Sequence, residues 1–334
     1  MNGNCDIKNP LVRDGVSQKE RILAALKPDY VKVDERDIND MLWFIRKYSE
    51  KVQYFDIDNE PAGNWKEFIE NDVSTIISVI SQKDTSDLKG CLEKNFEFIE
   101  NAGAINNNVR AAFHNIFRHI FHVCDELNHW YSKSVEGLKL REELEQSISS
   151  ELKDLLKQIL EAYLFAADPA NNFLFDQPDE DCKDHTYEGD IFASRFKNVW
   201  VSDDTGTITA WNNYLASISA NDELYGPGST KTAQGKYAAK KLRTMANKFI
   251  GAQSRLINNS PDYLEETLEN WPAHEPHVAL FLAFLQLFRF AQDSMNTITK
   301  RHLDFYYKDV LRLKPNEAVP DKVHVIFELA KQVD

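Results

Sequence analysis

The stretch from Glu275 to Asp334, EPHVALFLAFLQLFRFAQDSMNTITKRHLDFYYKDVLRLKPNEAVPDKVHVIFELAKQVD, limits the possible folds more than any other part of the sequence. Apolar residues recur at helical spacing as far as Leu313, and Pro315 then bars Lys314 from the helical conformation. One long helix is therefore expected, reaching on the order of 58 Å at 1.5 Å per residue. That exceeds what a compact domain of ordinary size needs, so the helix is expected to link parts. Beyond it, Val323, Val325, Phe327 and Leu329 alternate as one face of a strand. A strand with no partner nearby in sequence is expected to be the first of a truncated β-rich domain over 318–334.

At 100° per residue the long helix carries two apolar lines. Leu303, Tyr306, Tyr307, Val310, Leu311 and Leu313 share one broad arc, which is expected to pack into the chain's own core. Phe305 points the other way, among Arg301, Lys308, Asp309 and Arg312, and Leu280, Leu287 and Ile298 lie on that same second side. A helix apolar on two sides must bury both. Phe305, Ile298, Leu287, Leu280, Arg301 and Arg312 are accordingly the candidate interface residues, the alternative being that another helix of this chain covers Phe305.

The remainder reads as mainly α: helical bundle or hairpins, a small β-hairpin insertion, and the start of a β-rich domain at the C-terminus. A polar leader and a short helix are expected over 1–33, where SQKE at Ser17 to Glu20 spells a capping box ahead of ERILAAL. A helical domain follows over 34–167, its first helix capped by Asp34 and its segment YFDIDNEPAGNW a loop broken by Pro61 and Gly63. Within it, Asn107 to Lys133 and Leu138 to Ala166 form an antiparallel hairpin around Gly137. Phe113, Ile116, Phe117, Ile120, Cys124, Leu127 and Tyr131 make the buried stripe of the first, and Leu144, Ile148, Leu155, Ile159 and Tyr163 that of the second. Residues 168–232 read as an irregular loop region with a β-hairpin formed by NVWVS and TITAW. A helical hairpin with the long linking helix occupies 233–314.

The net charge of −14 disfavours binding to a phosphate backbone, so nucleic acid is not an expected partner. Four cysteines, far apart and without a CxxC pair, fit a reducing compartment better than a disulfide framework. The longest uninterrupted apolar run, Val278 to Leu285, falls short of the roughly 20 residues that span a bilayer, and no membrane partner is expected.

Several chemical motifs are near misses. GPGSTKT, Gly226 to Thr232, has the materials of a phosphate loop, but Thr230 and Tyr225 stand where glycines are required. Asp204, Thr205 and Gly206 spell a single aspartic-protease triplet where that chemistry needs two carboxylates, and a turn accounts for them. The acidic run Asp176 to Asp190 lacks calcium-loop spacing at Lys183. His119, His122, Glu126 and His129, at i, i+3, i+7 and i+10, could place metal ligands on one helix. They lie opposite the Phe113 to Tyr131 stripe, and a solvated face is the simpler account. A helical metal-dependent enzyme using those four residues is the alternative function.

HEPHVALFLAFLQLF and NTITKRHLDFYYKDVLRLKPNEAVPDKVHVIFELAK resemble the N-terminal part of baseplate J-like wedge proteins of contractile injection particles, the extracellular systems of antifeeding-prophage type. KERILAALKPDYVKVDER and ENDVSTIISVI resemble the opening of the same proteins. The resemblance implies a structural, non-enzymatic baseplate subunit with no cofactor and no small-molecule substrate. Its implied partners are other wedge subunits, homo- and hetero-oligomeric in a sixfold particle that is assembled in the cytoplasm and released outside the cell. Family members continue into β-rich domains beyond the equivalent of VHVIFELAK, so the chain is expected to be either a fragment of a larger protein or a short family member.

Overall fold

The computed structural model describes residue 30 and residues 32–174, 196–201 and 207–314, with only the backbone at 207–210 and 212. The chain divides into two compact units, one over 36–282 and the other combining the first 35 residues with 283–334.

In the larger unit, α1 (Ile38–Ser49) starts at Asp37, not Asp34. Asp37 accepts from the Asp40 amide while the Asp40 carboxylate accepts from the Asp37 amide, a complete capping box that fixes the start. An antiparallel hairpin follows, β1 (Gln53–Phe55) with β2 (Pro61–Asn64). The mainly α expectation with a small hairpin therefore holds, but the hairpin lies in the segment read as a loop. Asp56 turns the chain by accepting from the amides of Asp58 and Glu60 at 2.9 Å each, and Asn59 takes a left-handed φ of 60°. Pro61 opens an edge strand, where no amide is needed, and Gly63 lets the Tyr54 ring lie across its cross-strand partner.

The helices α2 (Lys66–Glu70) and α3 (Val73–Ser81) are separated by Asp72, which caps α3 through the Ser74 amide at 2.9 Å. Two longer helices follow, α4 (Ser86–Asn101) and α5 (Asn107–Lys133), and α5 has the expected limits. The whole predicted α5 stripe is buried, and so are Phe121, Val123 and Trp130 outside it. The reason is packing on several sides: α5 contacts α4, α6 (Lys139–Ser147) and α9 (Lys231–Asn258).

Between α6 and α7 (Lys153–Ala167) the chain makes a π-helical turn, Ile148–Leu152. The extra residue re-phases the buried face, so Leu152 and Leu156 become fully buried while Leu155 and Tyr163 are only partly covered. The hairpin expected at NVWVS and TITAW does not form. Asn198–Trp200 is a 3₁₀ turn and Thr207–Ala216 is helix α8, because Trp200 and Trp211 are both drawn edge-on against Phe196, with ring centres 5.6 and 5.7 Å away. Thr230 of the GPGSTKT segment caps α9 by accepting from the Ala233 amide at 3.2 Å. Pro261 occupies the first turn of α10 (Ser260–Asn270). The Ser17 capping box, the Asp204 triplet, the acidic run 176–190 and the strand at 318–334 lie outside the described residues.

Candidate assembly surface

The final helical run begins with α11 (Pro276–Asn296) and continues through α12 (Ile298–Asp304) into a π-helical turn, Phe305–Val310. It is thus not one regular helix, and it stops at Val310 rather than Leu313. The chain turns away at Arg312, whose φ is 52°.

Its root in the larger unit is a buried carboxylate. Asp72, while capping α3, also accepts from the Glu275 amide at 2.9 Å and faces His274 Nδ1 at 3.1 Å. The other ring nitrogen of His274 lies 3.1 Å from the Thr267 carbonyl oxygen of α10, so the ring is held from both ends. His277 Nε2 reaches the Phe68 carbonyl oxygen at 2.6 Å. A carboxylate removed from water is tolerable only when its lone pairs are met in this way.

Further along, in the smaller unit, Asn296 and Asp34 form a reciprocal pair. The Asn296 amide donates to the Asp34 carbonyl at 2.9 Å, and the Asn296 Oδ1 accepts from the Asp34 amide at 3.0 Å. A side-chain amide here substitutes for a peptide partner, beside the irregular Thr297.

Burial on this run is confined to a narrow line, Val278, Leu282, Leu285 and Gln292. Leu280 is 76 % exposed, Leu287 69 % and Phe305 59 %, and Ile298, Arg301 and Arg312 are exposed as well. The arc expected to enter the core is exposed too: Leu303, Tyr306, Tyr307, Val310, Leu311 and Leu313 all lie open. Periodicity identified both apolar lines; it did not reveal that neither is covered beyond Ile298. Phe284 and Phe290 add to the exposed surface and were missed as candidates, although their spacing from Leu280 and Leu287 places them beside that line. As a whole, Pro276–Val310 is long and apolar enough to cross a membrane by length and composition alone.

The histidine face of α5 is arranged differently from a metal site. Glu126 forms an ion pair with Lys83, accepts from Gln253 Nε2 at 2.7 Å and lies 3.4 Å from His122 Nε2. Its carboxylate is a cross-link to neighbouring elements, so the face is less solvated than expected. Partial desolvation and the nearby Lys133 ammonium hold the His129 ring below its ordinary pKa. Among the described residues, no group of three or more His, Cys, Asp or Glu side chains converges to hold a metal ion. Burial pushes the Cys124 thiol up, consistent with its place in the α5 core.

Residues 241–334 match the family model of the baseplate protein PVC11-like. The matched segment runs from within α9 through the exposed helical run and supports a structural role in the baseplate of a contractile injection particle. No curated protein matches the chain.

Proposed function

We propose that the chain is a wedge subunit of such a baseplate and joins neighbouring wedge proteins by helix packing. The observation that carries this reading is the exposed apolar surface of α11 and α12 within the segment matched to a baseplate family. Water penalises each uncovered leucine and phenylalanine, so a surface of this kind signals an interaction site. Leu280, Leu287, Ile298 and Phe305 are its apolar contacts, with Arg301 and Arg312 at its edge. The particle assembles in the cytoplasm before release. The subunit acts by position rather than by catalysis.

The length and apolarity of the run also suit a bilayer. Seven charged side chains between Arg289 and Asp309 oppose that alternative, because a charge at the centre of a membrane helix costs about 2.5–3.5 kcal/mol even on the mildest scales. Co-expression with the neighbouring wedge protein tests the proposal. Stable capture that is lost in Leu287→Asp with Phe305→Ala is the expected result. Flotation of the wild-type chain with lipid vesicles, combined with no capture, would replace assembly by membrane insertion.

A further inference from the structure

An open sheet edge lies on the larger unit, outside the segment that matches the baseplate family. The ribbon of β1 and β2 is exposed along both strands, yet its base is fixed. The Trp65 amide donates to the Val52 carbonyl at 3.0 Å, and Lys66 Nζ lies 3.4 Å from Glu50 Oε1, which Arg46 Nη1 also meets at 2.9 Å. The Phe68 ring braces one face, meeting Tyr54 at 6.1 Å and Trp65 at 5.6 Å between centres. The ribbon is therefore held in place without being covered.

Antiparallel pairing alternates along a strand, and the bond between Trp65 and Val52 sets its phase. The main-chain groups of Tyr54 face β2, so Gln53 and Phe55 direct their N–H and C=O groups to the outside. Among the described residues, no other element takes up those groups. The two edges of the ribbon differ. Pro61 and the register shift that leaves Ala62 without a partner blunt β2, whereas Gln53–Phe55 contains neither proline nor charge, the common guards against strand addition. Tyr54 and Phe55 stand on opposite faces and both are exposed, so an added strand would find an aromatic ring on either side.

The charge around this edge states what kind of strand it suits. Asp56, Asp58 and Glu60 follow β1 at the tip, around a fully exposed Ile57, and the segment Gln53–Asn64 has no Lys or Arg. Among the described residues, none of the three carboxylates has an ion-pair partner. We infer that the outer edge of β1 takes an extended, cationic segment of another protein as a third strand. Main-chain hydrogen bonds to Gln53 and Phe55 supply the pairing, as at other open sheet edges. Lys or Arg at alternate positions of the added strand meet the carboxylates of the tip and the open aromatic faces, and the complementary charge sets the choice of partner. The contact uses neither α11 nor α12 and stands apart from the wedge assignment.

The test titrates the full chain into a labelled, capped peptide that alternates valine with arginine, read by fluorescence anisotropy at low and high salt. Saturable binding is expected, weakened on the order of tenfold or more when salt screens the charges. The same peptide with glutamate in place of arginine should not bind, and neither should one whose alternate amides are methylated and so cannot pair with an edge. On the protein, Gln53→Pro removes one outward N–H at a position where an edge strand tolerates proline, and should weaken binding about fivefold. Asp58→Lys with Glu60→Lys reverses the charge of the tip and should weaken it further. Matched melting temperatures check that both variants fold, and Asp58→Lys alone serves if the double variant does not. A wild-type chain that ignores the arginine peptide, or binding that is insensitive to salt, overturns the inference. Equal binding of the methylated peptide overturns strand addition, equal binding of the glutamate peptide overturns the charge selection, and affinities unchanged in both variants remove the site from the hairpin. A chain that associates with itself through the hairpin in light scattering, and thereby excludes the peptide, makes a second copy the occupant and overturns it as well.

Discussion

The helix α5 and the run α11 to α12 are built from similar materials and meet opposite fates. Both are long and rich in phenylalanine, with histidine interspersed. In α5 the aromatic residues are enclosed: Phe117 stacks with Phe121 and meets Tyr163 edge-on, and Asn106 and Glu126 satisfy the polar requirements of its N-terminus and outer face. In α11 and α12 the same residue types stand in the open. Apolar content therefore does not distinguish a core helix from an assembly helix. The number of neighbouring elements does, and α5 has at least three.

The largest expected effect on this contrast comes from Phe117→Ala. A phenylalanine only 1 % exposed leaves a cavity when truncated, and thermal melting should show a loss of about 3–5 kcal/mol. Leu287→Ala, made at a residue 69 % exposed, should change the same measurement by less than about 0.5 kcal/mol. If the two losses were equal, the contrast would collapse. Asp72→Ala should rank next, at about 3 kcal/mol, because it leaves the buried amide of Ser74, the part-buried amide of Glu275 and the His274 ring without their acceptor. Phe305→Ala should leave folding almost unchanged yet cost about 1–2 kcal/mol of association with the wedge partner, measured by titration. A large drop in melting temperature would instead make Phe305 a core residue.

The thiols sharpen the comparison by chemistry. Alkylation at neutral pH should modify exposed Cys91 readily, whereas Cys124, buried and with its thiolate disfavoured, should react only after denaturant is added. The smallest effect belongs to the α5 histidines. His119, His122 and His129 replaced together by Gln should change stability little, within about 0.5 kcal/mol, provided the Lys83 and Gln253 contacts of Glu126 persist.

The sequence was most readable where one physical signal dominated. The stripe from Phe113 to Tyr131 and the limits of α5 follow from periodicity and from the Gly137 turn. Periodicity misled beyond the π turn Ile148–Leu152, where Leu156 is buried in place of Leu155 and Tyr163 is only partly covered, although Ile159 is buried as expected. The hairpin was misplaced for a related reason. Pro61 and Gly63 read as breakers, yet in an edge ribbon they are permissive, and Asp56 supplies a turn that depends on its side chain. For the candidate interface, helical angles sorted the residues into faces, but whether a face is covered depends on distant parts of the chain. The bond from Asp72 to Glu275 spans a separation of 203 residues and left no local trace.

That bond has a mechanical consequence. Asp72 is at once the cap of α3 and the tether of the residues that open α11, so both helix starts share one carboxylate. A pull on the first turn of α11 would load hydrogen bonds that also hold the first turn of α3. Displacing the first turn of α11 therefore uncaps α3, and tension at one helix start becomes local melting at the other.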